Sequence, residues 1–225
     1  MAPRRLPRNP SQSEAPYGFE ASPCHHAALF YLHEEFLSRT LHDFFLATLR
    51  AGGAAVTLAS SPHREAMVRL LERDGIDVAS LRKAGLYTEL DVGEVRSYCE
   101  VGHAIGSARL DQVVGEAVAA AAQTVRPPTA RLMIYGELVA ELWSRRNFVD
   151  LCTVERWWNQ LATRLPFTLV CGYPIREFAE AGTEARLLEI YAMHSTVIPP
   201  DSYPTFEMEK RILDAQASVL GSATA

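Results

Sequence analysis

The chain has no phosphate-binding loop where one is first sought. Residues 54–60, AAVTLAS, read as a buried strand, and the turn that follows is Ser60-Ser61-Pro62-His63-Arg64-Glu65. A loop that cradles phosphates needs glycine amides, a lysine and a magnesium-binding hydroxyl in the spacing GxxxxGK[ST]. Here no glycine follows the strand, Pro62 removes a backbone donor, and no Lys-Ser/Thr pair opens the helix, which argues against a nucleotide hydrolase. Cysteine is scarce too. Cys24, Cys99, Cys152 and Cys171 stand far apart with no CxxC spacing, so neither a disulfide framework nor a structural zinc ribbon is indicated and reduced thiols are expected.

Long apolar runs are missing, as is a signal-peptide core after the basic start, so the expectation is a cytoplasmic protein without a membrane span. An excess of positive charge is missing as well. A net charge of -5 and a pI near 5.8 argue against direct nucleic-acid binding, which rests on clustered Lys and Arg. Arg4, Arg5 and Arg8 are the exception, in a proline-rich polar start where residues 1–22 are expected to form a disordered tail.

What is present is an alternation of strand-like and helix-like segments along a chain of 225 residues, enough for one large domain. Strands are expected at 27–31, 54–60, 86–90, 131–135 and 167–173. Helices are expected at 34–50, 63–73, 95–98, 110–122 and 147–165, with Gly75 as a C-terminal turn. The helix from Asn147 is the clearest, because Leu151, Val154, Trp158, Leu161 and Leu165 form a core-facing stripe and Asn147 is placed to cap its start. Strands separated by helical crossovers imply an α/β fold with a mainly parallel, doubly wound sheet flanked by helices. The single domain is assigned to 23–203, and 204–225 to a C-terminal helix and tail, a candidate docking or homodimer element.

In a doubly wound sheet, ligands collect beyond the carboxyl ends of the strands. That rule selects Tyr31, Ser60, Ser61, His63, Asp91, Tyr135, Glu137, Cys171 and Tyr173, with His194 approaching from the C-terminal segment. Glu137 and Glu141 are one helical turn apart and can face one crevice. His26 falls at the other end of its strand and reads as a histidine capping a neighbouring backbone group. Cys24-His25-His26 alternate in direction on an extended chain and show no distant partner pair, so no metal or other cofactor is assigned. Cys171 reads as a small buried hydrophobe and Trp158 as core. Cys171 and His194-Ser195 lie outside any nucleophile signature, and no catalytic residue is assigned.

The order of signals resembles the MEDS family, the methanogen/methylotroph, DcmR-type sensory domain. The likeness runs through His26-Ala27-Ala28-Leu29-Phe30-Tyr31, Ala51-Gly52-Gly53, Thr57-Leu58-Ala59-Ser60, Gly136-Glu137-Leu138-Val139 with Leu142-Trp143, and Glu155-Arg156-Trp157-Trp158-Asn159. It closes with Leu169-Val170-Cys171-Gly172-Tyr173-Pro174 and His194-Ser195-Thr196-Val197-Ile198-Pro199. The resemblance implies a RecA-like core without a functional phosphate loop, sensing a small hydrocarbon derivative and serving as input to a histidine kinase or transcription regulator. Because about twenty residues follow Tyr203, too few for a helix-turn-helix, that output is expected on another chain. The competing readings are a ligand-free interaction scaffold and an enzyme using Glu137 or His194.

Overall fold

A computed structural model describes residues 25–126, 131–176, 184–201 and 210. Six parallel strands form one sheet in the order β3-β2-β6-β7-β1-β8. They are β1 (His25–Tyr31), β2 (Ala54–Ala59), β3 (Tyr87–Asp91), β6 (Leu132–Gly136), β7 (Thr168–Pro174) and β8 (Thr196–Ile198). Every residue of β2 is buried, as it must be in a strand covered by helices on both faces.

Connections that step toward β3 lay their helices on one face. These are α1 (Glu34–Arg50), α2 (Ser61–Arg73) and α3 (Val78–Lys83), which pack Leu37, Leu41, Phe45, Met67 and Leu71 against Ala27, Leu29 and Tyr135. Connections that step back toward β8 use the other face, as the fixed hand of the crossover requires. There lie α4 (Val92–Cys99), α7 (Leu138–Ser144), α8 (Phe148–Ala162) and α9 (Glu184–Met193), with α5 (Ser107–Leu110), a π-helical turn (Asp111–Gly115) and α6 (Glu116–Thr124) running end to end. The expected doubly wound α/β fold is therefore present.

Local chemistry explains most of the boundaries. Asn147 caps α8, its side-chain oxygen accepting the Asp150 N–H at 3.2 Å. Gly75 adopts φ 83° after α2, where its N–H reaches the Glu72 carbonyl at 3.0 Å. Gly53 is required by proximity, since a Cβ there would sit 2.3 Å from the Arg131 carbonyl oxygen. The short hairpin β4 (Glu100–Val101) and β5 (Ala104–Ile105), the π turn, α3, α9 and β8 were not foreseen. Two- and three-residue strands leave too little periodicity to detect. The expected N-terminal tail, Cys24 and the C-terminal helix lie outside the described residues.

Candidate functional site

Two separate polar centres stand out among the described residues. The first lies at the carboxyl ends of β2 and β6, neighbouring strands whose chains leave toward opposite faces. Glu137, just after β6, is only 13% exposed and accepts the Ser60 N–H at 2.8 Å and the Ser60 hydroxyl at 3.0 Å. His63, in the first turn of α2, places Nδ1 2.9 Å from Glu137 and Nε2 2.8 Å from Glu34. Bonds to Glu137 and then Glu34 lift the His63 pKa from 6.5 to about 10. Burial alone would raise the Glu137 carboxyl, yet His63 and Ser60 hold it below its ordinary range. A cleft of about 440 Å³ opens beside it, lined by Ser60, Ser61, Asp91, Glu137 and Glu141. Asp91 is already committed, capping α4 and pairing with Arg64 at 2.6 Å.

A second opening of about 720 Å³ lies over the ends of β1 and β7, which also diverge to opposite faces. Tyr31, Leu32, Phe36 and Pro174 supply its apolar wall, with Glu34, Arg39 and Arg176 among its polar lining. Glu34 thus belongs to this opening and to the His63 chain at once. The first turn of α1 carries Glu34 and Glu35, which oppose an anion at that helix start.

The second centre is buried under α8 and α9. Strand alternation sends His26 of β1 and Cys171 and Tyr173 of β7 to this face, level with the α8 residues Glu155 and Asn159. Glu155 is fully buried, with His26 Nε2 at 3.0 Å and His194 Nε2 at 3.3 Å. The Tyr173 hydroxyl donates to Glu155, and the Cys171 thiol lies 3.7 Å from its other oxygen. Burial would raise the Glu155 carboxyl, but His194 and His26 hold it well below the carboxylate range. Burial would likewise lower His26, yet the Glu155 charge raises it. Burial, reinforced by Glu155, pushes Cys171 and Tyr173 well up, so both remain protonated in this arrangement.

The expected site residues therefore separate into three places. Ser60, Ser61, His63 and Glu137 come together as expected. Tyr31 is buried on the α1 face below the larger opening, and Tyr135 is buried in the same layer. Cys171, Tyr173 and His194 do not reach the crevice. They belong to the buried centre with His26, whose distant partners the sequence had not disclosed. His26 is more than a backbone cap: its main chain exchanges bonds with Ser195 while its ring meets Glu155, Asn159 and Cys171. Glu155 and Asn159 were missed. A signal was available, because Glu155 lies four residues after Leu151 and three before Trp158, on the buried stripe, where a carboxylate requires partners.

Fold and centres together define a three-layered parallel α/β domain with polar groups at a strand switch point and a second set sealed inside one helical layer. The family model of MEDS, the methanogen/methylotroph, DcmR sensory domain, matches residues 25–195, and the chain belongs to that family. Its role is accordingly sensory or regulatory. No curated protein matches the sequence significantly. No described helix is long and apolar enough to cross a membrane.

Proposed function

We propose that the chain is an input module that binds a small, largely apolar molecule with a polar end, such as a short hydrocarbon derivative, and signals to a partner protein. The partner in this reading is a histidine kinase or transcription regulator on another chain. The observation that carries it is the 720 Å³ opening over β1 and β7, with an apolar wall of Tyr31, Leu32, Phe36 and Pro174 and cationic lining from Arg39 and Arg176. Strand ends that part to opposite faces are where open α/β sheets take ligands. Glu34 gives the pocket a link to the rest of the molecule, since its bond to His63 continues through Glu137 to Ser60. A ligand that draws Glu34 away changes the pairing of α1 with α2.

A nucleotide suits the switch point poorly. The α2 start already holds an internal carboxylate, Glu137, on the Ser60 N–H, and the α1 start is acidic. Both features support the reading of a RecA-like core without a working phosphate loop. A thermal-shift series with short haloalkanes and alcohols tests the reading, because a ligand selective for the native state raises its melting temperature. A rise for one of these classes, lost in Leu32→Trp while the unliganded melting temperature is kept, is expected. No rise at millimolar concentration would favour a ligand-free interaction scaffold.

A further inference from the structure

The geometry points to a transition-metal site of the zinc class, closed by His26, Glu155, Cys171 and His194. One donor atom from each residue lies within 4.8 Å of all the others. The four residues come from β1, α8, β7 and the end of α9, so no local sequence motif brings them together. All four side chains are shielded from solvent.

Hydrogen bonding fixes which atoms face the centre. The Asn159 amide nitrogen donates to the Met193 carbonyl at 3.0 Å, so its oxygen is the atom turned to His26 Nδ1, also at 3.0 Å. An oxygen acceptor there requires the proton on Nδ1, leaving His26 Nε2 as a lone pair directed inward when the ring is neutral. His194 is held the same way, its Nδ1 donating to the Ile190 carbonyl at 2.6 Å. Its Nε2 faces inward, buried, 3.3 Å from Glu155 Oε1 but without good hydrogen-bond geometry to it. Two imidazole nitrogens, a carboxylate and a sulfur thus converge on one point; they pair with one another as they stand, and with the rings neutral the same nitrogens present lone pairs to an ion. Histidines whose outer nitrogens are anchored on oxygen are the usual arrangement around a bound metal.

Spacing is close to what this requires. Bonds of about 2.0–2.3 Å around tetrahedral zinc set ligand atoms about 3.3–3.8 Å apart. His26 Nε2 and Cys171 Sγ lie 3.4 Å apart, at 3.0 Å and 3.7 Å from Glu155 Oε2, while His194 Nε2 lies 3.3 Å from the other oxygen, Oε1. All four donor atoms fall within 4.8 Å of one another, so an ion would draw the set together by small side-chain shifts. The mixed nitrogen, oxygen and sulfur set suits a borderline-soft ion and disfavours magnesium or calcium. Charge balances as well. On binding, the Cys171 thiol and the imidazolium Nε2–H that His26 holds toward Glu155 release their protons to solvent, and thiolate plus carboxylate neutralise a divalent ion between two neutral imidazoles. With four protein ligands the site is closed, so its role is to tie two strands to two helices; Tyr173 orients Glu155 from outside the ligand set.

Metal analysis of the purified full-length chain, followed by chelation and refilling with zinc or cobalt(II), tests the inference. The expected results are about one ion per chain and a melting temperature that falls on chelation and recovers on refilling. The cobalt form should show a thiolate-to-metal charge-transfer band and intense visible bands. Cys171→Ser should abolish the charge-transfer band, whereas Cys152→Ser should retain it. If Cys171→Ser fails to fold, the cobalt spectrum and zinc titration of the parent chain decide alone. A metal-free parent whose melting temperature is unmoved by excess zinc or cobalt, and which develops no thiolate band, overturns the site. The readout is independent of hydrocarbon binding, so either proposal can fail alone.

Discussion

Two centres of this fold are built on the same chemical pair, carboxylate with imidazole, and solvent separates the two uses. In the Glu34–His63–Glu137 chain, Glu34 is 64% exposed and His63 21%, so water and salt screen their pairing, while His63 can turn between two carboxylates and Glu137, at 13%, keeps Ser60 as a second partner. In the His26–Glu155–His194 cluster, Glu155 has no exposure at all. A charge there has only the groups that α8, β1, β7 and α9 bring to it. The first arrangement is suited to rearrangement, the second to holding elements in place.

The largest effect is expected from breaking the sealed pair. Glu155→Ala removes the anion that both imidazoles and Tyr173 address, and loss of one partner of a buried pair costs about 3–5 kcal/mol. The comparison in the same helix is Trp158→Ala, an apolar deletion at a position 1% exposed, with an expected loss of about 3–5 kcal/mol from transfer and cavity terms. Denaturant unfolding measures both. A loss below about 1 kcal/mol for Glu155→Ala would mean that the cluster relaxes as freely as the exposed chain, and the contrast would collapse.

A smaller, pH-dependent effect is expected at the crevice. The folded pKa of His63 is raised from 6.5 to about 10, so its contribution is complete below pH 6.5 and lost as pH climbs through about 10. Glu137 runs the other way. Its carboxyl is held below 4.5, so its contribution is present above that value and lost on acidification. Melting temperature followed from pH 5 to 10 should decline on the alkaline side in the parent and decline less in His63→Gln. Parallel curves would show that His63 is not held as a cation by its two carboxylates.

The smallest expected effect is none. Magnesium ATP or GTP should give no binding heat in isothermal titration, because Glu137 occupies the α2 helix start and Glu34 and Glu35 guard that of α1. Micromolar affinity would show that the crevice opens to anions, and would restore Glu137 as a candidate for activating water.

The α8 helix was legible because capping and periodicity agree: Asn147 at the start, then Leu151, Val154, Trp158 and Leu161 on one side. The pairing of Ser60 with Glu137 was half legible, since both follow buried strands and the switch-point rule collects such residues. The assignment of Cys171, Tyr173 and His194 to that crevice went astray for a definite reason. Strand alternation tells which residues share a face, but not which helical layer covers that face. That depends on strand order, and β7 lies beside β1 although some 145 residues separate His26 from Cys171. The buried centre is a product of that long-range adjacency, and no local pattern contains it.

The position of β1 has a further consequence, for how the chain reaches its native state. Strands β2, β3 and β6 pair among themselves in one half of the sheet, whereas β1 pairs only with β7 and β8, the last two described strands. During synthesis β1 emerges before either of the neighbours it has among the described strands and must wait until β7 or β8 has left the ribosome. Contacts this distant in sequence slow the search for the folded state. Until β7 arrives, Ala27, Ala28, Leu29 and Phe30 form an apolar strand with two unpaired edges, the segment of this molecule that a chaperone would have most reason to shelter.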